Sequence, residues 1–147
     1  MPNRNALFLT IAHGYAQIVG ANTIWTGVCQ TDYSGYPDCR ASFIFEMERA
    51  LNKGYQTEIA IVTPLMLKTK AETFAMAEEC GVLDLVINES HTCYNGVRGY
   101  EGGYTSPEAR EYAAGGLHEW GHGCGECPAC LLRAKGWEEF KTRMRIA

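Results

Sequence analysis

A chain of 147 residues with 46% hydrophobic and 20% charged side chains has the composition of one globular domain with a real core. Its net charge of −4 argues against a protein whose main business is gripping phosphate backbones, since such domains carry a clustered basic face. No stretch approaches the roughly 18 apolar residues that span a bilayer. The run "ALFLTIA" imitates a signal peptide only until His13 and Gln17 interrupt it, so the expected location is the cytoplasm.

Phe8, Ile11, Ala12, Tyr15, Ile18 and Val19 recur at helical spacing and predict an amphipathic helix from about Arg4 to Val19, ended by Gly20 and Asn22. "TIWTGVC" (Thr23 to Cys29) is β-branched, aromatic and apolar on both faces, the pattern of a strand buried in a parallel sheet. The polar stretch "QTDYSGYPDCR" follows as a loop. Phe43, Met47, Ala50 and Leu51 make a second helical stripe that stops at Gly54, and "EIAIV" (Glu58 to Val62) reads as a second buried strand. Together these form a strand-helix-strand unit. After Pro64, Thr69 and Glu72 are spaced as a capping box that opens a helix from Lys70 to about Cys80. "SPEAREYAA" places Ser106 at an N-cap and Pro107 at the first position of a short helix. The last helix begins at Pro128, with Cys130, Ala134, Trp137, Phe140 and Met144 on its inner face. Two parallel strands leave both sheet edges unpaired, and a two-stranded sheet is marginal in water. The chain therefore reads as half of an α/β sheet that pairs with another polypeptide or with itself.

Seven cysteines at uneven spacing do not form the paired framework of a small secreted scaffold. "GHGCGECPAC" sets Cys124, Cys127 and Cys130 at three-residue intervals, which suits a tetrahedral ion that takes two ligands from each Cys-x2-Cys turn. Cys93 in "HTCYNG" is the fourth candidate, with His118 and His122 as rivals. A helix starting at Pro128 would stabilise the thiolates with its N-terminus. Three cysteines with one remote partner also suit an iron–sulfur site, and the bland alternative is three free thiols near a turn. Cys29 and Cys80 read as small buried hydrophobes.

"TGVCQTDYSGYPDCR" leaves the carboxyl end of the first strand, the usual ligand position in open parallel sheets. Asp32, Asp38 and Arg40 gather there with Tyr33 and Tyr36. Carboxylates accept paired N–H groups from a purine-like edge and an aromatic ring stacks on its face. The competing reading is a solvated turn in which Asp38 merely caps the next helix.

"TGVCQTDYSGYPDCR", "TPLM", "KAET", "TCYNG" and "CGECPACLLRAKG", in this order, closely resemble the C-terminal half of the 7-cyano-7-deazaguanine synthases of the queuosine pathway. The resemblance covers nearly all of the chain except 97–123. It implies an α/β fold with a partial Rossmann-like sheet of the adenine nucleotide alpha hydrolase-like kind and a C-terminal zinc-binding helical segment. On that basis residues 1–92 are expected to be the C-terminal part of the nucleotide- and substrate-binding domain. Residues 93–147 would be the zinc segment, carrying an insertion near 97–123 and the terminal helix. The family is a PP-loop group of ATP-dependent ligases that adenylate 7-carboxy-7-deazaguanine, admit ammonia, and use a second ATP to dehydrate the amide to a nitrile.

The resemblance maps the ligands of one structural Zn2+ per chain onto Cys93, Cys124, Cys127 and Cys130. It places Asp32, Tyr33, Asp38 and Arg40 at the deazaguanine. Arg4, Asn5 and Lys70 fall beside ATP and its Mg2+, with Arg4 and Lys70 offsetting charge in catalysis. Thr69 stands where relatives carry Asp, a swap that keeps an N-cap. The family's "SGGxDS" phosphate loop finds no counterpart in these residues. The expectation is therefore an enzyme half completed by a PP-loop-bearing polypeptide or a second copy, with no direct nucleic-acid or membrane contact. The alternative is a non-catalytic zinc-binding module or truncated remnant that binds a partner protein. Retention of Asp32, Asp38 and Arg40 favours the enzyme half.

Overall fold

A computed structural model describes residues 3–31, 36–98 and 116–144. The chain divides into two compact units, Met1–Lys68 and Thr69–Ala147. The described residues form a mixed α/β protein with one small parallel sheet.

In the first unit, helix α1 (Arg4–Val19) leads into strand β1 (Thr23–Trp25), then a 3-10 turn at Pro37–Cys39, helix α2 (Ala41–Tyr55) and strand β2 (Ala60–Val62). β1 and β2 pair in parallel, Thr23 opposite Ala60 and Trp25 opposite Val62, with α2 as the crossover. The strand-helix-strand reading therefore holds, but both strands are shorter than expected. The ladder's last bond runs from the Thr26 N–H to Val62 O at 3.0 Å, and Pro64, which has no N–H to offer, lies just beyond. Nor is β1 buried on both faces, for Trp25 is 69% exposed.

Ile44, with Phe43, Met47 and Leu51 half-buried beside it, packs α2 onto Leu9, Ile61 and Met66, while Ala50 is exposed. α2 runs past Gly54 to Tyr55 because Asn52 secures its last turn. The Asn52 side chain accepts the Ile59 N–H and the Thr57 hydroxyl, each at 2.9 Å, and donates to Ile59 O at 2.9 Å. This ties the helix end to the entry of β2. Gln56 then turns the chain in a left-handed conformation, φ 57°.

The bounds of α1 are those the sequence predicts, but its inner face is not. Leu9, His13 and Ala16 are buried, whereas Phe8, Ile11, Tyr15, Ile18 and Val19 are exposed. Apolar residues ring this helix, so periodicity alone does not choose a side. Hydrogen bonding draws His13 inward: its Nε2 meets Asn52 Oδ1 at 3.2 Å and its Nδ1 meets the Gln17 amide at 3.0 Å. A buried imidazole with both nitrogens satisfied is compatible with a core.

The second unit contains α3 (Lys70–Glu79), α4 (Leu83–Glu89), the strands β3 (Leu117–His118) and β4 (Gly121–His122), and α5 (Pro128–Met144). The capping box at Thr69 forms as read: Thr69 N–H donates to Glu72 Oε2 at 2.8 Å, and Glu72 N–H to the Thr69 hydroxyl at 3.2 Å. α3 and α5 pack closely at Gly136, where a Cβ would lie 2.2 Å from that of Lys70. Phe74 stands edge-on to Trp137, centroids 5.1 Å apart, over Phe140. Cys80 is exposed at the end of α3, contrary to its expected burial.

α4 and the antiparallel β3–β4 hairpin were not legible in the sequence. The short α4 is held by side chains from elsewhere, since the Asn88 carbonyl accepts from His122 Nε2 at 2.7 Å and the Val86 carbonyl from Arg133 at 2.8 Å. α3 and α4, which a division near residue 92 assigns to the α/β part, pack with α5 and β4 in this unit. The expected helix at Ser106 and Pro107 and the side chain of Met144 lie outside the described residues. Among the described residues no helix is long and apolar enough to cross a membrane.

Candidate functional site

Cys93 follows α4, Cys124 and Cys127 lie in the loop after β4, and Cys130 sits in the first turn of α5. Their four sulfur atoms all lie within 4.8 Å of one another, and Cys124 and Cys130 are 3.9 Å apart. A tetrahedral ion with metal–sulfur bonds of about 2.3 Å places its sulfurs roughly 3.8 Å apart. The donor set and spacing therefore fit one mononuclear ion, and these four cysteines could hold a metal such as zinc. A polynuclear cluster separates its thiolates further, because several irons and sulfides stand between them.

Neither rival histidine joins the converging ligand atoms, although His122 keeps a buried Nδ1 without a hydrogen-bond partner. His118 Nε2 meets Gly123 O at 3.1 Å with its ring stacked on Trp120, and His122 Nε2 takes the Asn88 carbonyl.

The backbone is shaped around sulfur. N–H groups of Cys127 and Glu126 point at Cys124 Sγ at 3.3 and 3.5 Å, and that of Tyr94 at Cys127 Sγ at 3.4 Å. Burial pushes the Cys127 thiol up, but the N–H groups of Tyr94 and Cys130 outweigh it and bring the pKa to about 6. Cys93 is likewise lowered, backbone donors overcoming burial. Cys130, wholly buried, is pushed up to about 12 by desolvation and by the neighbouring thiols, despite the Gly125 N–H. Four thiolates this close ionise together only around a cation.

Sequence reasoning missed the glycines that make room. A Cβ on Gly123 would lie 2.4 Å from Cys130 Sγ, and Gly125 takes φ 76° with His118 against it. The alternation of glycine in "GHGCGEC" was the available signal. It also missed Arg133, which reads as a surface cation but is buried.

In the first unit the structure joins two candidates assigned to different ligands. Asp38, buried in the 3-10 turn, accepts the Asn5 N–H on Oδ2 at 3.0 Å, and Asn5 Nδ2 donates to Asp38 O and Cys39 Sγ, each at 3.2 Å. Asp38 thus caps α1, not the following helix, placing a carboxylate on one of its N-terminal amides. Arg4 is exposed at the first position of α1, near enough to Cys39 to be felt electrostatically, and Arg40 is exposed at the start of α2. The Cys39 thiol is raised by burial and then by Asp38, so it is a poor nucleophile. Asp32 and Tyr33 lie outside the described residues. Lys70 is half-buried at the head of α3 in the second unit.

Comparison with known proteins places this geometry. Residues 1–141 match the family model of the queuosine biosynthesis protein QueC. A 7-cyano-7-deazaguanine synthase of Wolinella succinogenes is 52% identical over 144 residues, 98% of this chain and 55% of that protein. One from Helicobacter pylori is 52% identical over 145 residues, 99% of this chain and 57% of its own length. Another from a Caulobacter species is 45% identical over 150 residues, covering 100% and 54%. The chain spans about half the length of the curated relatives it matches.

Proposed function

The chain belongs to the family of the queuosine biosynthesis protein QueC, and from that premise we propose that it is the substrate- and zinc-binding half of a 7-cyano-7-deazaguanine synthase. The observation that carries this reading is 52% identity along 98% of the chain to a relative of that name. The gathered thiols of Cys93, Cys124, Cys127 and Cys130 support it, as holders of one structural zinc. Zinc bound there would supply folding energy rather than chemistry, since all four positions are filled by protein.

In this reading ATP adenylates the carboxylate of 7-carboxy-7-deazaguanine and releases pyrophosphate, ammonia displaces AMP to give the amide, and a second ATP removes water to give the nitrile. Asp32 and Asp38 accept N–H groups of the guanine-like edge, Tyr33 stacks on its face, and Arg40 adds a cation. Asp38 keeps one oxygen for this task while the other holds the Asn5 amide. Arg4, Asn5 and Lys70 serve the nucleotide, whose phosphates carry Mg2+.

The outward apolar face of α1 and the two-stranded sheet support a companion that completes a Rossmann-like sheet, a PP-loop-bearing polypeptide or a second copy. The test is pyrophosphate release from ATP, ammonia and the carboxylate. The assay is run with the chain alone and with the part of the Wolinella succinogenes relative that the chain does not cover. Turnover is expected only with the companion. Robust turnover by the chain alone overturns the half-enzyme reading, and silence even with a well-folded companion favours a non-catalytic zinc module.

A further inference from the structure

Arg133 lies on α5, three residues beyond the wholly buried Cys130, and is itself only 4% exposed. Its guanidinium donates from Nε to Trp120 O at 2.8 Å, from Nη2 to Val86 O at 2.8 Å and from Nη1 to Ser90 O at 3.4 Å. Every one of these acceptors is a neutral backbone carbonyl. Among the described residues no carboxylate stands within ion-pair distance of it. The pocket is built for this group. Gly121, at φ 109°, would place a Cβ 2.7 Å from Nη2, so a side chain there would evict the guanidinium. Phe74 presents its ring 5.9 Å from the guanidinium carbon.

A buried cation without an anion is unfavourable, and neutral carbonyls offset only part of that cost. The ionisable groups of the core that Arg133 packs against are the cysteines, which share a cluster with Phe74 and Trp120. Four thiolates around one divalent ion leave two negative charges uncompensated, also in a low-dielectric interior. Burial lowers the Arg133 pKa, and Arg133 stands one helical turn beyond Cys130 on α5, with both side chains buried.

We propose that Arg133 is the internal counter-ion of the four-cysteine centre. Each buried charge makes the other tolerable. The same guanidinium pins the end of α4 and the β3–β4 turn to the metal-bearing helix, so metal loading and the packing of that segment are coupled. The inference rests on the metal reading of the cysteines, and the zinc content of the wild-type chain, measured first, separates the failure of the two.

Two variants of the full chain distinguish charge from packing. Arg133→Met removes the charge at similar length, and Arg133→Lys keeps the charge while losing the planar fork. Zinc affinity by chelator competition should fall at least tenfold in Arg133→Met and less in Arg133→Lys. In the iron-substituted protein, the Fe3+/Fe2+ potential should move negative in Arg133→Met and hold in Arg133→Lys, because a nearby positive charge favours the reduced ion. A purely structural staple would leave that potential alone and weaken both variants alike. If Arg133→Met yields no folded protein, Arg133→Gln, which retains donors for the carbonyls, takes its place. Unchanged affinity and potential in a folded neutral variant overturn the proposal.

Discussion

The two units solve the problem of a small core in opposite ways. In the second, the largest fully buried side chain among the described residues is Cys130, one of the four gathered cysteines, and Phe74, Trp120 and Phe140 close around them. In the first, the core is a modest patch of Leu9, Ile44, Ile61 and Met66 under a two-stranded sheet, while its longest helix turns Phe8, Ile11, Tyr15 and Ile18 to the outside. One unit is closed by chemistry at its centre. The other leaves its apolar surface at the periphery, where a further chain can reach it. On the function proposed above, the second unit would be finished by an ion and the first by a neighbour.

The largest test of that contrast is metal removal. Structural zinc sites carry on the order of 10 kcal/mol of binding free energy. Stripping the ion, or Cys130→Ser, should therefore collapse hydrogen-exchange protection across α3 and α5 while α1 and α2 keep theirs. Equal loss in both units would erase the distinction. Next comes Leu9→Ala, which removes a buried anchor of the first unit and should cost about 2–4 kcal/mol in denaturant titration. Metal content should be untouched.

A smaller loss, about 1–3 kcal/mol, is expected for Asn52→Ala, because the Ile59 N–H and carbonyl lose their partner at the end of α2. Thermal melts followed by far-ultraviolet circular dichroism would measure it. The smallest stability effect belongs to Ile18→Asp. Ile18 is 82% exposed, so the isolated chain should change by no more than about 0.5 kcal/mol. The same variant should abolish the activity gained with a companion. A marked destabilisation of the chain alone would mean that this face is already covered.

Local signals were the readable part of the fold. The capping box at Thr69, the start of α5 at Pro128 and the limits of α1 follow from short-range hydrogen bonding and backbone preference, which a sequence displays directly. The choice of face on α1 did not follow. It depends on Asn52 and Thr57, more than thirty residues away, meeting His13. α4 was invisible for a related reason, because its last carbonyls are satisfied by Arg133 and His122 from remote segments.

The cysteine cluster was the most legible feature, since three of its members share one turn and only the fourth required a long-range partner. The chemistry around it was less so. Arg133 in "CLLRAKG" looks like any solvent-facing cation until the folded chain surrounds it. The contact between Asp38 and α1 was out of reach of the sequence, where Asp38 stood as a substrate candidate with capping of the next helix as the alternative, because the amide it accepts precedes it by 33 residues.

The close gathering of four sulfurs also bears on which element would occupy such a site in a living cell. A rigid thiolate cage selects strongly against hard ions such as magnesium or calcium, which prefer oxygen, but it discriminates poorly among thiophilic ones. Copper(I) and cadmium suit the same soft donors as zinc. Occupancy is then decided by supply and by the cell's metal buffering rather than by fit. If the four cysteines hold zinc, copper or cadmium in excess should compete for the same place, and cadmium would then serve as a spectroscopic reporter of the site.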